Sequence, residues 1–180
     1  MITTDEKIIA VFGSSRPAPE SAEYAEAYRT GQLLAQRGFV VMNGGYAGTM
    51  EASARGAKDH GGRTLGIISG EFAWLTPNAF LDETLTHDDI FARIRDMQLR
   101  ADGFIVLKGS MGTLAELALV WNLAKIDLAH RKPILLVGAG WARVLGACRE
   151  HLAVTDDEAR LLQCVAQPED AVEFLSARFQ

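Results

Sequence analysis

Three glycine- or serine-rich turns carry the residue types that could hold an anion. They are Gly13-Ser14-Ser15-Arg16, residues 43–49 (Asn-Gly-Gly-Tyr-Ala-Gly-Thr) and residues 108–113 (Lys-Gly-Ser-Met-Gly-Thr). Each follows a short apolar run, and the last two open directly into a helical pattern. Glycine lacks the Cβ that would keep a ligand from the backbone. A helix start adds unpaired N–H groups and the positive end of the helix dipole. Phosphate is the guest such turns suit. Gly13, Ser14, Ser15, Gly44, Gly45, Gly48, Gly109, Ser110, Gly112 and Thr113 are therefore candidate phosphate- or nucleotide-binding residues. No turn matches G-x-G-x-x-G, and no G-x-x-x-x-G-K-[ST] occurs, so a mononucleotide-sized ligand is favoured over a dinucleotide.

Two charged residues could supply chemistry beside that anion. Glu116 ends the pattern Thr113-x-x-Glu116, which reads in two ways. One is a capping box, in which the two side chains satisfy each other's backbone N–H groups. The other is a carboxylate one turn inside the anion-binding helix, facing the crevice. There it would steady positive charge developing on a sugar or orient a water. Arg93, among Arg95 and Arg100, reads either as part of a solvated basic face or as a partner in the site. Asp88 and Asp89 fit helix caps better than metal ligands. His60, His87, His130 and His151 are scattered, and Cys148 and Cys164 form no Cys-x-x-Cys, so no metal and no cofactor are expected. Ser14 and Ser15 lack the Gly-x-Ser-x-Gly elbow of a hydrolase. Trp121 and Trp141 read as packing residues, whereas Trp74, in an irregular stretch, is the one placed where a base could stack.

The elements that must position these residues alternate along the chain. Apolar runs at 7–12, 39–42, 64–68, 104–107, 133–137 and 162–165 read as buried strands. Helical periods fill 22–37, 50–60, 89–99, 113–126, 141–151 and 168–179. This alternation predicts an α/β fold: a single doubly wound, mainly parallel, Rossmann-like sheet with helices on both faces, over residues 1–180 as one domain. Ligands bind such sheets outside the carboxyl ends of the strands, where the three turns fall. Residues 69–86, with Phe72, Trp74, Pro77, Asn78 and Phe80, show no clear period and are expected to form a lid-like loop or an excursion.

Composition bounds the partners. The 180 residues are 48% hydrophobic and 23% charged, with 18 basic against 23 acidic side chains and a net charge of −5. That is a globular composition with no broad surface for nucleic acid. Residues 1–7 are polar and lack the apolar core of a signal peptide. No apolar run approaches the roughly 20 residues that span a bilayer. The expectation is a cytoplasmic protein with no membrane partner.

At these residues the chain resembles the Lonely Guy family of cytokinin-activating phosphoribohydrolases. It also resembles their relatives, the lysine decarboxylase-like and molybdenum-cofactor-carrier-like proteins. Residues 11–15 resemble the family's strand and Gly-Ser-Ser, residues 43–50 its Gly-Gly-Gly-x-x-Gly-x-Met, and residues 108–116 its Pro-Gly-Gly-x-Gly-Thr-x-x-Glu. The resemblance implies that Glu116 and Arg93 are the catalytic pair. It departs at Asn43, Glu51, Lys108, Ser110 and Ile94, where the family has Gly, Gly, Pro, Gly and Lys. The implied reaction is hydrolysis of the N-glycosidic bond of a nucleoside 5′-monophosphate to free base and ribose 5-phosphate. The alternative is a non-catalytic carrier of a nucleotide or the molybdenum cofactor. Lysine decarboxylation would need a Schiff-base lysine and a partner for the cofactor's ring nitrogen, and only Lys108 lies near the crevice. The resemblance also implies a homodimer. The apolar residues on 113–126 cover more than one helical stripe, and Ile90, Phe91, Ile94 and Met97 are the expected facing residues.

Overall fold

The computed structural model describes residues 6–126 and 131–179, so His130 and the first five residues lie outside the described residues. Seven strands form one sheet: β1 (Ile8–Phe12), β2 (Val40–Asn43), β3 (Thr64–Ser69), β4 (Glu83–His87), β5 (Gly103–Val106), β6 (Ile134–Val137) and β7 (Leu162–Val165). Their order is β4-β3-β2-β1-β5-β6-β7, and every pairing is parallel. The direction of winding reverses between β1 and β5, which makes their carboxyl ends the topological switch point.

Strand side chains alternate between two cores. Ile9, Val11, Val41, Ile105, Leu107, Leu135 and Val137 meet helices α1 (Ala22–Gln36), α2 (Thr49–Lys58) and α7 (Pro168–Phe179). Ala10, Phe12, Val40, Met42, Ile67, Phe104 and Leu136 meet α3 (Ile90–Arg100), α4 (Met111–Ile126) and α5 (Ala139–His151). Both faces are covered, which is why the strands read as continuous apolar runs.

Local chemistry sets the helix starts. Ser21 accepts from Tyr24 N–H at the start of α1, and the Asp89 carboxylate accepts from Phe91 and Ala92 N–H at 2.7 and 2.8 Å at the start of α3. Helix α4 begins two residues before the expected Thr113, with the Ser110 carbonyl accepting from Leu114 N–H. A one-turn helix, α6 (Asp156–Ala159), escaped the sequence reading.

Residues 69–86 differ from the irregular stretch expected. They form a short 3-10 turn (Gly70–Phe72), a pinned connection and the edge strand β4. The strand went unseen because its residues alternate between half-buried and exposed, as an edge strand's do, and only Leu85 is aliphatic. Among the described residues, no helix is long and apolar enough to cross a membrane.

Candidate active site

The three turns meet at the carboxyl ends of β1, β2 and β5. Their glycines, however, serve different neighbours. Gly13, Ser15, Ser110, Gly112 and Thr113 line a cleft of about 270 Å³. Gly44, Gly45 and Gly48, expected to admit a ligand to the backbone, admit other parts of the chain instead. A Cβ on Gly44 would lie 2.0 Å from Arg93 Nη2, and one on Gly48 (φ +70°) 2.4 Å from the Ser14 carbonyl oxygen. Gly45, at φ +83°, sits over Ile68. Ser14 is likewise turned inward: its carbonyl accepts from Thr49 N–H and Oγ1, tying the first turn to the second. Asn43, where the family has glycine, holds the second turn itself. It accepts from Gly45 N–H and donates to the Met50 carbonyl and Ser53 Oγ.

Arg93 and Glu116 come together on the cleft wall. Arg93 Nε donates to the Ile67 carbonyl at 2.7 Å, and Nη1 stands 3.4 Å from Glu116 Oε1. Both residues are buried. Burial pushes the Glu116 carboxyl up to about 7, against the opposing pull of the Arg93 guanidinium. The basic-face reading of Arg93 is therefore set aside, because its side chain is enclosed while Arg95 and Arg100 are exposed.

The capping-box reading of Thr113 and Glu116 also gives way. With α4 starting at Met111, Thr113 is already inside the helix and Glu116 faces Arg93. Thr113 Oγ1 is buried beneath Gly109 with no hydrogen-bond partner. Lys108 does not line the cleft; its ammonium pairs with Glu23 on α1 at 2.7 Å. No group of three or more His, Cys, Asp or Glu among the described residues is arranged to hold a metal ion.

Residues that sequence reasoning did not assign to the site also line the cleft: Tyr46, Met50, Phe72, Leu75, Ile90 and Ile94. Tyr46 and Phe72 were signalled only by a tyrosine inside a glycine turn and a run of aromatics without a period, and Ile94, expected at a dimer seam, is buried and lines the cleft.

A parallel, doubly wound sheet with this cleft at its switch point defines a Rossmann-like protein with a site built for a small ligand. A model of the SLOG cluster4 family matches residues 6–172, and the chain belongs to that family. A cytokinin riboside 5′-monophosphate phosphoribohydrolase of Mycobacterium tuberculosis is 34% identical over 137 residues, covering 74% of this chain and 72% of its own. An uncharacterized protein of Archaeoglobus fulgidus is 34% identical over 130 residues, covering 72% and 83%. The solved structure of the molybdenum cofactor binding protein from Rippkaea orientalis superposes with a TM-score of 0.79 at 25% identity, covering 99% of this chain and all of the other.

Proposed function

We propose that this protein hydrolyses the N-glycosidic bond of a nucleoside 5′-monophosphate. The observation that carries the proposal is the buried Arg93–Glu116 pair beside the start of α4, in a chain related to phosphoribohydrolases. The phosphate binds at Ser110, Gly112 and Thr113, where the first N–H groups of α4 have no acceptor within the helix. Water adds to C1′ as the C1′–N bond breaks, and the departing base takes up a proton. Ionised Glu116 stabilises the positive charge developing on the sugar or orients the water. Arg93, fixed by the Ile67 carbonyl, donates to the ribose or the leaving base.

The test is incubation with a panel of nucleoside monophosphates, followed by chromatography for free base. Glu116→Gln should keep the fold and much of the affinity while losing at least 100-fold in turnover, and turnover at the wild-type rate would remove Glu116 from the mechanism. The role requires the carboxylate, so activity should rise with pH through about 7, the value to which burial moves Glu116. A carrier of the molybdenum cofactor is the second reading, favoured by the likeness to the Rippkaea orientalis protein. It predicts retained ligand with no free base.

The protein is proposed to act in the cytoplasm as a homodimer through the face bearing α3 and α4. Phe91 and Leu99 on α3, and Met111, Leu114 and Ile126 on α4, are exposed there. A two-fold interface would bury them and bring Arg93 near the seam.

A further inference from the structure

The two ends of the cleft differ in kind. One end has Ser15 and Ser110 and the start of α4; the other presents Phe72 and Leu75 beside Tyr46. Three polar groups at this second end are already engaged. The Tyr46 hydroxyl donates to the Ser69 carbonyl and accepts from Ser69 N–H, both at 3.2 Å. The N–H groups of Ala73 and Leu75 are taken by the carbonyls of Gly70 and Phe72.

The segment carrying Phe72 is held in place rather than free to close. Asn78 donates from its backbone and its side chain to the Gly45 carbonyl, and from its side chain to that of Tyr46. The Glu71 carboxylate accepts from Ile90 N–H at the start of α3, the helix that carries Arg93. The Phe72 ring stands perpendicular to Tyr46 at 6.0 Å and to Trp74 at 5.8 Å. It is half-buried, so part of its surface is open to the cleft.

We infer that this protein recognises a nucleobase by its flat face, against Phe72, and not by its hydrogen-bonding edge, so that it accepts different bases on one phosphoribose. The inference rests on the phosphoribohydrolase reading and names the substrate breadth that follows from it. Every base has a π-face, and a base stacked on an aromatic ring gains roughly 5- to 150-fold in affinity. Sites that read an edge reject the wrong analogue by about 10⁴-fold, because the site's own polar groups are then left unpaired. Here the Tyr46 hydroxyl and the N–H groups of Ala73 and Leu75 are already paired, and the donor left for the base is Arg93, whose proposed part is in the bond cleavage common to every base.

The experiment is calorimetric binding of ribose 5-phosphate, AMP, GMP and CMP to the Glu116→Gln chain, which should hold substrate uncleaved. AMP, GMP and CMP should bind within about tenfold of one another, and each at least tenfold more tightly than ribose 5-phosphate. Phe72→Ala should remove that gain and leave ribose 5-phosphate affinity unchanged. Phe72→Tyr should restore it, which separates stacking from damage to the fold. Discrimination beyond 100-fold among the bases, or equal losses for AMP and ribose 5-phosphate in Phe72→Ala, overturns the inference. A wild-type chain that releases no base overturns the hydrolytic reading instead and leaves the binding comparison standing.

Discussion

Helices α1, α2 and α7 cover one face of the sheet and α3, α4 and α5 the other, yet the two layers are built differently. On the first face α1 and α2 cross at glycines. A Cβ on Gly31 would lie 1.9 Å from the Ser53 carbonyl oxygen, and one on Gly56 2.0 Å from that of Tyr28. On the second face the glycines meet nothing: Cβ atoms on Gly112, Gly140 and Gly146 would point into open space. Helix α5 buries none of its residues, and an open groove of about 370 Å³ runs between α3 and α4, lined by Leu99, Leu123 and Ile126. Large exposed apolar side chains occur on α3, α4 and α5 and on none of α1, α2 or α7. The first face is a finished core. The second holds the Arg93–Glu116 pair and leaves apolar side chains exposed.

Four substitutions probe that difference. The largest effect should come from Gly31→Ala, which drives a Cβ into fixed backbone and should cost about 3 kcal/mol or more. Denaturant unfolding reads it, and a loss below about 1 kcal/mol would mean that α1 and α2 can separate at this crossing without cost. Gly44→Ala is as crowded, but its neighbours are the tips of Arg93 and Met50, which can move. It should cost at least tenfold in activity through displacement of the guanidinium, with a change in stability under about 1.5 kcal/mol. Equal damage to fold and turnover would erase the distinction between the packed face and the functional one.

Under the proposed dimer, Leu114→Glu should leave each chain folded and shift sedimentation from the two-chain to the single-chain mass. An unchanged dimer would place the interface elsewhere. The smallest effect is a gain. Gly146→Ala, inside α5 with open space around it, should add about 0.5–1 kcal/mol of stability. A loss there would reveal a second chain in close contact with α5.

How much of this was legible in the sequence can be judged from one repeated pattern. Thr-x-x-Glu occurs at 113–116 and again at 155–158. At the second site Thr155 and Glu158 do form a capping box, and they start α6. At the first, two extra helical residues carry Thr113 past the cap position and turn Glu116 toward Arg93. Side-chain types alone do not separate the two; the location of the helix start does. The buried strands were plain because both of their faces are covered, whereas β4, at the sheet edge, carried no such run. The pairing of Arg93 with Glu116 requires α3 and α4 to lie on the same face, a matter of topology that only the family resemblance anticipated. The glycines of the second turn were read as ligand-facing because their identity shows that room is needed, not what fills it.

The Glu116 carboxyl has a further thermodynamic consequence. At neutral pH a group with a pKa of about 7 is shared between its two protonation states. In the proposed reaction a phosphate dianion at the nearby start of α4 would disfavour the carboxylate and raise that value further. Binding of that ligand near pH 7 would then be accompanied by proton uptake, and the heat of binding would vary with the ionisation enthalpy of the buffer. In the pH–rate profiles, the acid limb of kcat, which reports the loaded enzyme, would lie at higher pH than that of kcat/KM, which reports the empty one.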